Sequence, residues 1–250
     1  MPEYPTTFMG WVLFLLERYS AQFLNGTITT LEIAIAGTVL GCVLGFIVGV
    51  IQSAVVDSHA SPVTRAVNRV LKVIAGSYVE VFRGTPMMVQ AMVVYYGAAQ
   101  YFDFNMNSLL AGILVLSINT GAYMAESVRG AITGIDQGQL EGAYAIGFTH
   151  VQAMTRVVIP QAFRNLIPQI GNMFVSSIKD TSVLNVISVS ELFFVARGVT
   201  GSFYRFFETY VIISVIYLVL TFITSRLLGL LERKLDGAKD YELVADPEVA

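Results

Sequence analysis

Lys179 and Asp180 stand side by side inside a stretch, roughly 162–187, that is otherwise apolar enough to sit in a membrane, and Thr181 and Ser182 follow them. An ionisable group at membrane depth is costly, so it points to a water-filled path or to a paired partner. An adjacent amine and carboxylate complement the carboxylate and ammonium of an amino-acid backbone, above all in a locally unwound helix. The same two residues also fit an internal ion pair with Glu80, Glu126 or Glu191 that fixes a helix bundle. Both readings stay open on the residues alone. Two further couples, Glu80 with Arg83 and Glu126 with Arg129, are three apart and share a helix face if helical. Rim salt bridges that order helix ends are their simplest use. Gly84-Thr85-Pro86 removes a backbone donor and is expected to kink the segment it interrupts.

Other chemistries have no residues to carry them. The chain contains no G-x-x-x-x-G-K-[ST] phosphate loop, so it is not expected to bind ATP in that way. His59 and His150 fall in different polar stretches without further ligands at metal spacing, so no metal site is expected. No base accompanies the serines and threonines of the apolar runs, and no catalytic residue is assigned. The single cysteine, Cys42, reads as a small apolar filler.

The elements that must position these residues are membrane helices. Of 250 residues, 55% are hydrophobic and 13% charged, and the second share is about half that of an ordinary globular protein. Apolar runs long enough to cross a bilayer recur at 33–56, 84–102, 104–125, 162–187 and 210–225. The fold class expected is all-α, a multi-pass transmembrane bundle of about five spans forming one domain over 1–250. Residues 1–20 lack a basic start and a cleavage site, and read as an amphipathic interfacial segment with Trp11 and Tyr19 at headgroup level. The acidic stretch 236–250 reads as a tail. With five spans, ten basic residues fall on the side of the 141–160 loop and three on the other, leaving aside Arg83 and Lys179. The positive-inside rule puts the N-terminus outside and the C-terminus in the cytoplasm. A net charge of −3 with no basic run outside the loops gives no nucleic-acid partner. Gly37, Gly41, Gly45 and Gly49 recur every fourth residue and form a ridge for close helix packing, within the chain or between subunits.

The loop 141–160, EGAYAIGFTHVQAMTRVVIP, is a polar island with helical periodicity. A short helix is expected to begin near Gln139, with Glu141 in its first turn favoured by the helix dipole. Gly142 and Ala143 leave its surface shallow, Gly147 permits a turn, and Pro160 marks entry to the membrane. Docking of a partner and mere capping of the bundle both fit.

Here the residues carry a resemblance. Glu141-Gly142-Ala143, Gly147 and the Val157-Val158-Ile159-Pro160 run resemble the EAA loop of ABC importer permeases, departing at Gly142, Val157 and Ile159. The blocks 78–97, 122–143 and 159–192, and the flanks of the last span, are similar to the polar amino-acid branch of that family over roughly residues 20–235. The resemblance implies a cytoplasmic coupling helix whose Gln139, Glu141, Gly142, Ala143 and Gly147 dock an ATP-binding subunit. It also implies a second permease chain, identical or similar, and an extracytoplasmic solute-binding protein in a bacterial cytoplasmic membrane. ATP and Mg would sit on the ATPase, with no cofactor on this chain, and the substrate would be a polar amino acid, for which Lys179, Asp180, Thr181, Ser182 and Glu126 are the candidate contacts on their own chemistry. The chain is then not an enzyme by itself. A secondary carrier coupled to ions through Glu80, Glu126 or Lys179, or a membrane anchor recruiting an ATPase, are the competing classes.

Overall fold

A computed structural model describes residues 4–55 and 61–236, and these form an all-helical bundle. Its helices are α1 (Phe8–Ser53), α2 (Pro62–Gly84), α3 (Met87–Phe102), α4 (Ser108–Thr133), α5 (Gln137–Ala145), α6 (His150–Ala153), α7 (Ile159–Asp180), α8 (Leu192–Phe203) and α9 (Phe206–Asp236). A π-turn, Met154–Val158, joins α6 to α7, and a 3₁₀ segment, Thr181–Ile187, extends α7. Among the described residues, α1, α4 and α9 are each long and apolar enough to cross a membrane. The run His150–Ile187 together with α8 qualifies as one broken span with a 54° bend. The expected span at 84–102 is instead the 16-residue α3 preceded by α2. The helix α2 starts at Pro62 behind a Ser61 cap, so the basic residues Arg65, Arg69 and Lys72 ride on a helix rather than in an open loop.

The expected interfacial segment is not a separate element from Phe8 onward. Residues 8–53 are one 46-residue helix, about 69 Å long at the usual rise. Trp11, Leu15 and Phe23 are buried against Leu192, Ala196 and Val199 of α8 and Ile212 and Ile213 of α9. Trp11 therefore anchors a core between α1, α8 and α9. Its ring also stacks on Tyr4 at 5.6 Å and carries the Arg205 guanidinium at 4.3 Å. The polar stretch around Asn25–Glu32 lowers hydropathy without breaking the helix, because none of these residues removes a backbone donor. Residues 1–3 and all of the 236–250 tail beyond Asp236 lie outside the described residues.

The four ridge glycines face α4 within the same chain. A Cβ at Gly37, Gly41, Gly45 or Gly49 would come within 2.6, 2.7, 2.5 and 2.6 Å of Leu116, Thr120, Met124 and Val128 respectively. Both series advance by four, so α1 and α4 run parallel in close contact. This seam stands between two cores. One gathers Ile33, Ala91, Leu116, Leu184 and Ile187, and the other Met124, Val128, Val158 and Leu166. The seam thereby sets α4 as the central post against which α3 and α7 are placed.

Candidate functional site

Helical spacing on two elements builds a polar wall inside this apolar bundle. Asn119, Tyr123 and Ser127 line one face of α4 at steps of four, and Gln169, Asn172, Ser176 and Asp180 line one face of α7. Together with Thr85–Met88 at the α2–α3 break they enclose a cavity of about 680 Å³, open to the exterior of the chain. Such a volume falls within the usual range of small-molecule sites, about 300–1,000 Å³. The wall offers amides, hydroxyls and one carboxylate, which suits a polar solute making several hydrogen bonds.

The break at Gly84-Thr85-Pro86 is a full interruption rather than a kink. Thr85 is extended (φ −121°, ψ 145°), α2 ends before it, and Pro86 caps α3. The carbonyls freed by the break are recovered by side chains. The buried Gln90 amide nitrogen lies 2.9 Å from the Phe82 carbonyl, the Thr85 carbonyl and the Thr85 hydroxyl, and its two protons serve two of these at a time. Asn119 donates to the Phe82 carbonyl at 3.2 Å and to Gln90 Oε1 at 3.1 Å, so α4 holds the break directly. In a membrane an unpaired carbonyl costs several kcal/mol by rough estimate, which is why irregular backbone there needs such partners.

The residues singled out on charge are distributed around this cavity, not gathered in it. Asp180 lines it. Lys179 and Ser182 open instead on a second cavity of about 450 Å³ between α7 and α9, beside Tyr210, Ser214, Tyr217 and Thr221. Successive residues on a helix point about 100° apart, so neighbours in sequence need not share a face. The amine and carboxylate thus do not form one cup for a zwitterion. Thr181 is buried, and its hydroxyl donates to the Ile178 carbonyl at 2.8 Å. Among the described ion pairs none involves Lys179 or Asp180, and Glu126 and Glu191 are engaged elsewhere.

Glu126 pairs with Arg129 on its own helix and reaches Arg83 of α2 at 3.7 Å. Arg83 also lies over the Tyr123 ring, 5.4 Å from its centre. The Glu126–Arg129 couple forms as its spacing predicts, whereas Arg83 turns to Glu126 and not to Glu80, giving one cluster that bridges α2 and α4 and borders the cavity through Tyr123. Its side chains are one third to nearly one half exposed, so each pair adds little stability, about 1 kcal/mol at most.

The loop helix begins two residues earlier than expected. Asp136 caps α5 by accepting from Gly138 N at 2.8 Å. Gln139, Glu141 and Gly142 are exposed, and nothing lies within 4 Å of where a Gly142 Cβ would be. Ala143 is buried, so it seats the helix on the bundle and is not part of the open face. Gly147 is left-handed (φ 85°), and this lets Gly147 N and Phe148 N bond to the carbonyls of Tyr144 and Ala143. That closure ends α5 as glycine C-caps commonly do. Thr149 and Gln152 then form a reciprocal capping box that starts α6. The polar stripes of α4 and α7 were the signal missed in the sequence. They stand at helical spacing within segments otherwise read only for hydropathy.

Residues 43–237 match the family described as binding-protein-dependent transport system inner membrane component. The chain is similar to the probable amino-acid permease protein YxeN of Bacillus subtilis (strain 168), with 40% identity over 66% of this chain and 74% of that protein. It is 39% identical to the probable amino-acid ABC transporter permease protein PatM of Vibrio harveyi, over 68% of this chain and 77% of PatM. In three dimensions it resembles a chain of an amino acid ABC transporter solved with histidines, at a TM-score of 0.79 and 35% identity, covering 92% of this chain and 99% of that one. A chain of the MetNI methionine ABC transporter in an inward-facing conformation shares the fold at a TM-score of 0.70 with 18% identity.

Proposed function

The chain belongs to the family of binding-protein-dependent transport system inner membrane components, and from that premise we propose that it is the transmembrane subunit of an ATP-driven importer of polar amino acids. The observation that carries this reading is the polar cavity walled by α4, α7 and the α2–α3 break within an otherwise apolar bundle. Its open side is where a second permease chain, identical or similar, completes the path. The relatives named as amino-acid permeases support the substrate class.

ATP hydrolysis resides on a separate subunit. The exposed Gln139, Glu141 and Gly142 of α5 are the surface on which that subunit docks, with Gly147 shaping the exit of the helix. An extracytoplasmic binding protein delivers the solute to the opposite end. The loop and C-terminus then face the cytoplasm and the N-terminus faces outward, the orientation that the excess of basic residues on the loop side supports. Because α6, the π-turn and α7 follow α5 without a long linker, displacement of the docked loop reaches the cavity wall through α7. Relative motion of two permease chains provides alternating access, with the nucleotide cycle as the source of free energy.

Reconstitution in vesicles tests this. Uptake of a labelled polar amino acid is expected only with the ATPase subunit, the binding protein and ATP present. Uptake by the purified chain alone under an ion gradient would favour the secondary-carrier class and overturn the importer reading. Within a transporting assembly, Asp180→Asn is expected to lower uptake about tenfold while leaving assembly intact, since it removes a charged hydrogen-bond partner for the solute ammonium. Unchanged affinity and rate would remove Asp180 from the path.

A further inference from the structure

The most enclosed carboxylate among the described residues lies outside the cavity. Glu191 is fully buried and precedes α8, where its oxygens accept from Phe193 N at 2.9 Å and Phe194 N at 2.7 Å. The Tyr217 hydroxyl of α9 donates to Glu191 Oε2 at 3.1 Å and lies beside the Thr30 and Thr181 side chains. Leu192 N donates to the Thr30 hydroxyl of α1 at 3.2 Å, and a Cβ at Gly26 would meet Leu192 Cα at 3.0 Å. Four elements therefore converge on the Glu191–Tyr217 couple: α8 and α9 at the carboxylate, and α1 and the 3₁₀ extension of α7 at the Tyr217 hydroxyl. Ser188 turns the chain left-handed (φ 61°) just before this point, and the broken span bends there by 54°. A second tie crosses the same bend, from the Arg197 guanidinium to Asn185 Oδ1 at 2.7 Å.

We propose that Glu191, bonded to Tyr217, is a positioning residue for translocation: it latches the bend of the broken span to α9 and so fixes the direction in which the α7 wall faces the cavity. A cap alone needs only the two backbone donors. The Tyr217 bond adds a tie to a helix distant in sequence, and the Tyr217 hydroxyl lies beside buried Thr181, the neighbour of Asp180. Loss of the Tyr217 hydroxyl leaves both backbone bonds of the α8 cap and the apolar core in place while the end of α7 becomes free to turn.

The inference rests on the importer reading, and two measurements separate their failures. The first needs no transport. In a Cys42→Ala background, Ser176→Cys places a single thiol on the cavity wall, and its rate of labelling by a charged maleimide in membranes is compared with and without Tyr217→Phe or Glu191→Gln. The rate is expected to fall several-fold in both. The second is uptake by the complete assembly with its ATPase and binding protein. Turnover per assembled complex is expected to fall about tenfold, the loss of one hydrogen bond to a charged group, with KM for the solute within about twofold. The Tyr217→Phe, Glu191→Gln double variant should be no worse than Glu191→Gln. Unchanged labelling, or reduced amounts of complex with normal turnover per complex, would overturn the latch. ATP-independent uptake by the unmodified chain would overturn the importer reading and leave the labelling result standing.

Discussion

Replacing Gly45 with alanine probes the α1–α4 seam most directly. The added Cβ would lie 2.5 Å from Met124 Cβ, 2.7 Å from the Gly121 carbonyl oxygen and 2.9 Å from Ala125 N. Two of those three atoms are backbone, so no rotamer change relieves the clash. The helices must separate by about 1 Å to restore ordinary contact, and dispersion falls steeply over such a gap. Overpacking of this kind costs about 3 kcal/mol, against a gain of up to about 1 kcal/mol from the better helix propensity of alanine. Gly49→Ala is similar, since the Ala125 carbonyl oxygen is 2.7 Å away. At Gly37 the three closest atoms are all of the Leu116 side chain, which can move, and about 1 kcal/mol is expected there. Gly142→Ala serves as the control, with open space around it and a net gain expected. The assay is unfolding of the purified chain in detergent, followed by heat or denaturant. If Gly45→Ala is as stable as Gly142→Ala, the seam is not a close backbone contact and the reasoning fails.

Gln90→Leu should lower stability by about 2 kcal/mol and make the α2–α3 break mobile, because the Phe82 and Thr85 carbonyls lose a buried donor. Amide hydrogen exchange around residues 82–90 would rise, and unchanged protection would count against the role of Gln90. Gly147→Ala should cost about 1–2 kcal/mol locally through its left-handed backbone, although a side chain there meets no neighbour. The expected readout is fraying of α5 and weaker ATPase binding with normal membrane insertion. Normal ATP-driven uptake would show that the turn is not needed for docking.

Sequence patterns made the glycine seam legible because a period of four on a helix is also a period in the chain. The Gly84–Pro86 break and the ordered loop were visible for a similar reason, since proline and glycine act on backbone within one or two residues. What stayed hidden depended on direction or on distant partners. Adjacent Lys179 and Asp180 read as one pair in the sequence, but helical rotation sends them to different cavities. Glu80 and Arg83 matched the spacing of an ion pair, yet Arg83 reaches the carboxylate of another helix. Hydropathy marked where apolar surface fades near Asn25–Glu32, which is not where helix α1 ends. In the sequence Glu191 is one of three carboxylates open to an internal ion pair, and only the convergence of α1, α8 and α9 shows what it holds.

The parallel seam also imposes an order on biogenesis. α1 ends at Ser53 and α4 begins only at Ser108, so during synthesis the glycine ridge enters the bilayer with no mate. Lipid chains can wet such a ridge without penalty, as they are about as apolar as a leucine surface. The opposing row of Leu116, Thr120, Met124 and Val128 arrives later and takes the place of lipid along about three turns of helix. Until then α2 and α3 have no central post, and the break between them has no Asn119 to complete its hydrogen bonds. The α2–α3 break and the cavity wall are therefore complete only once α4 is in place.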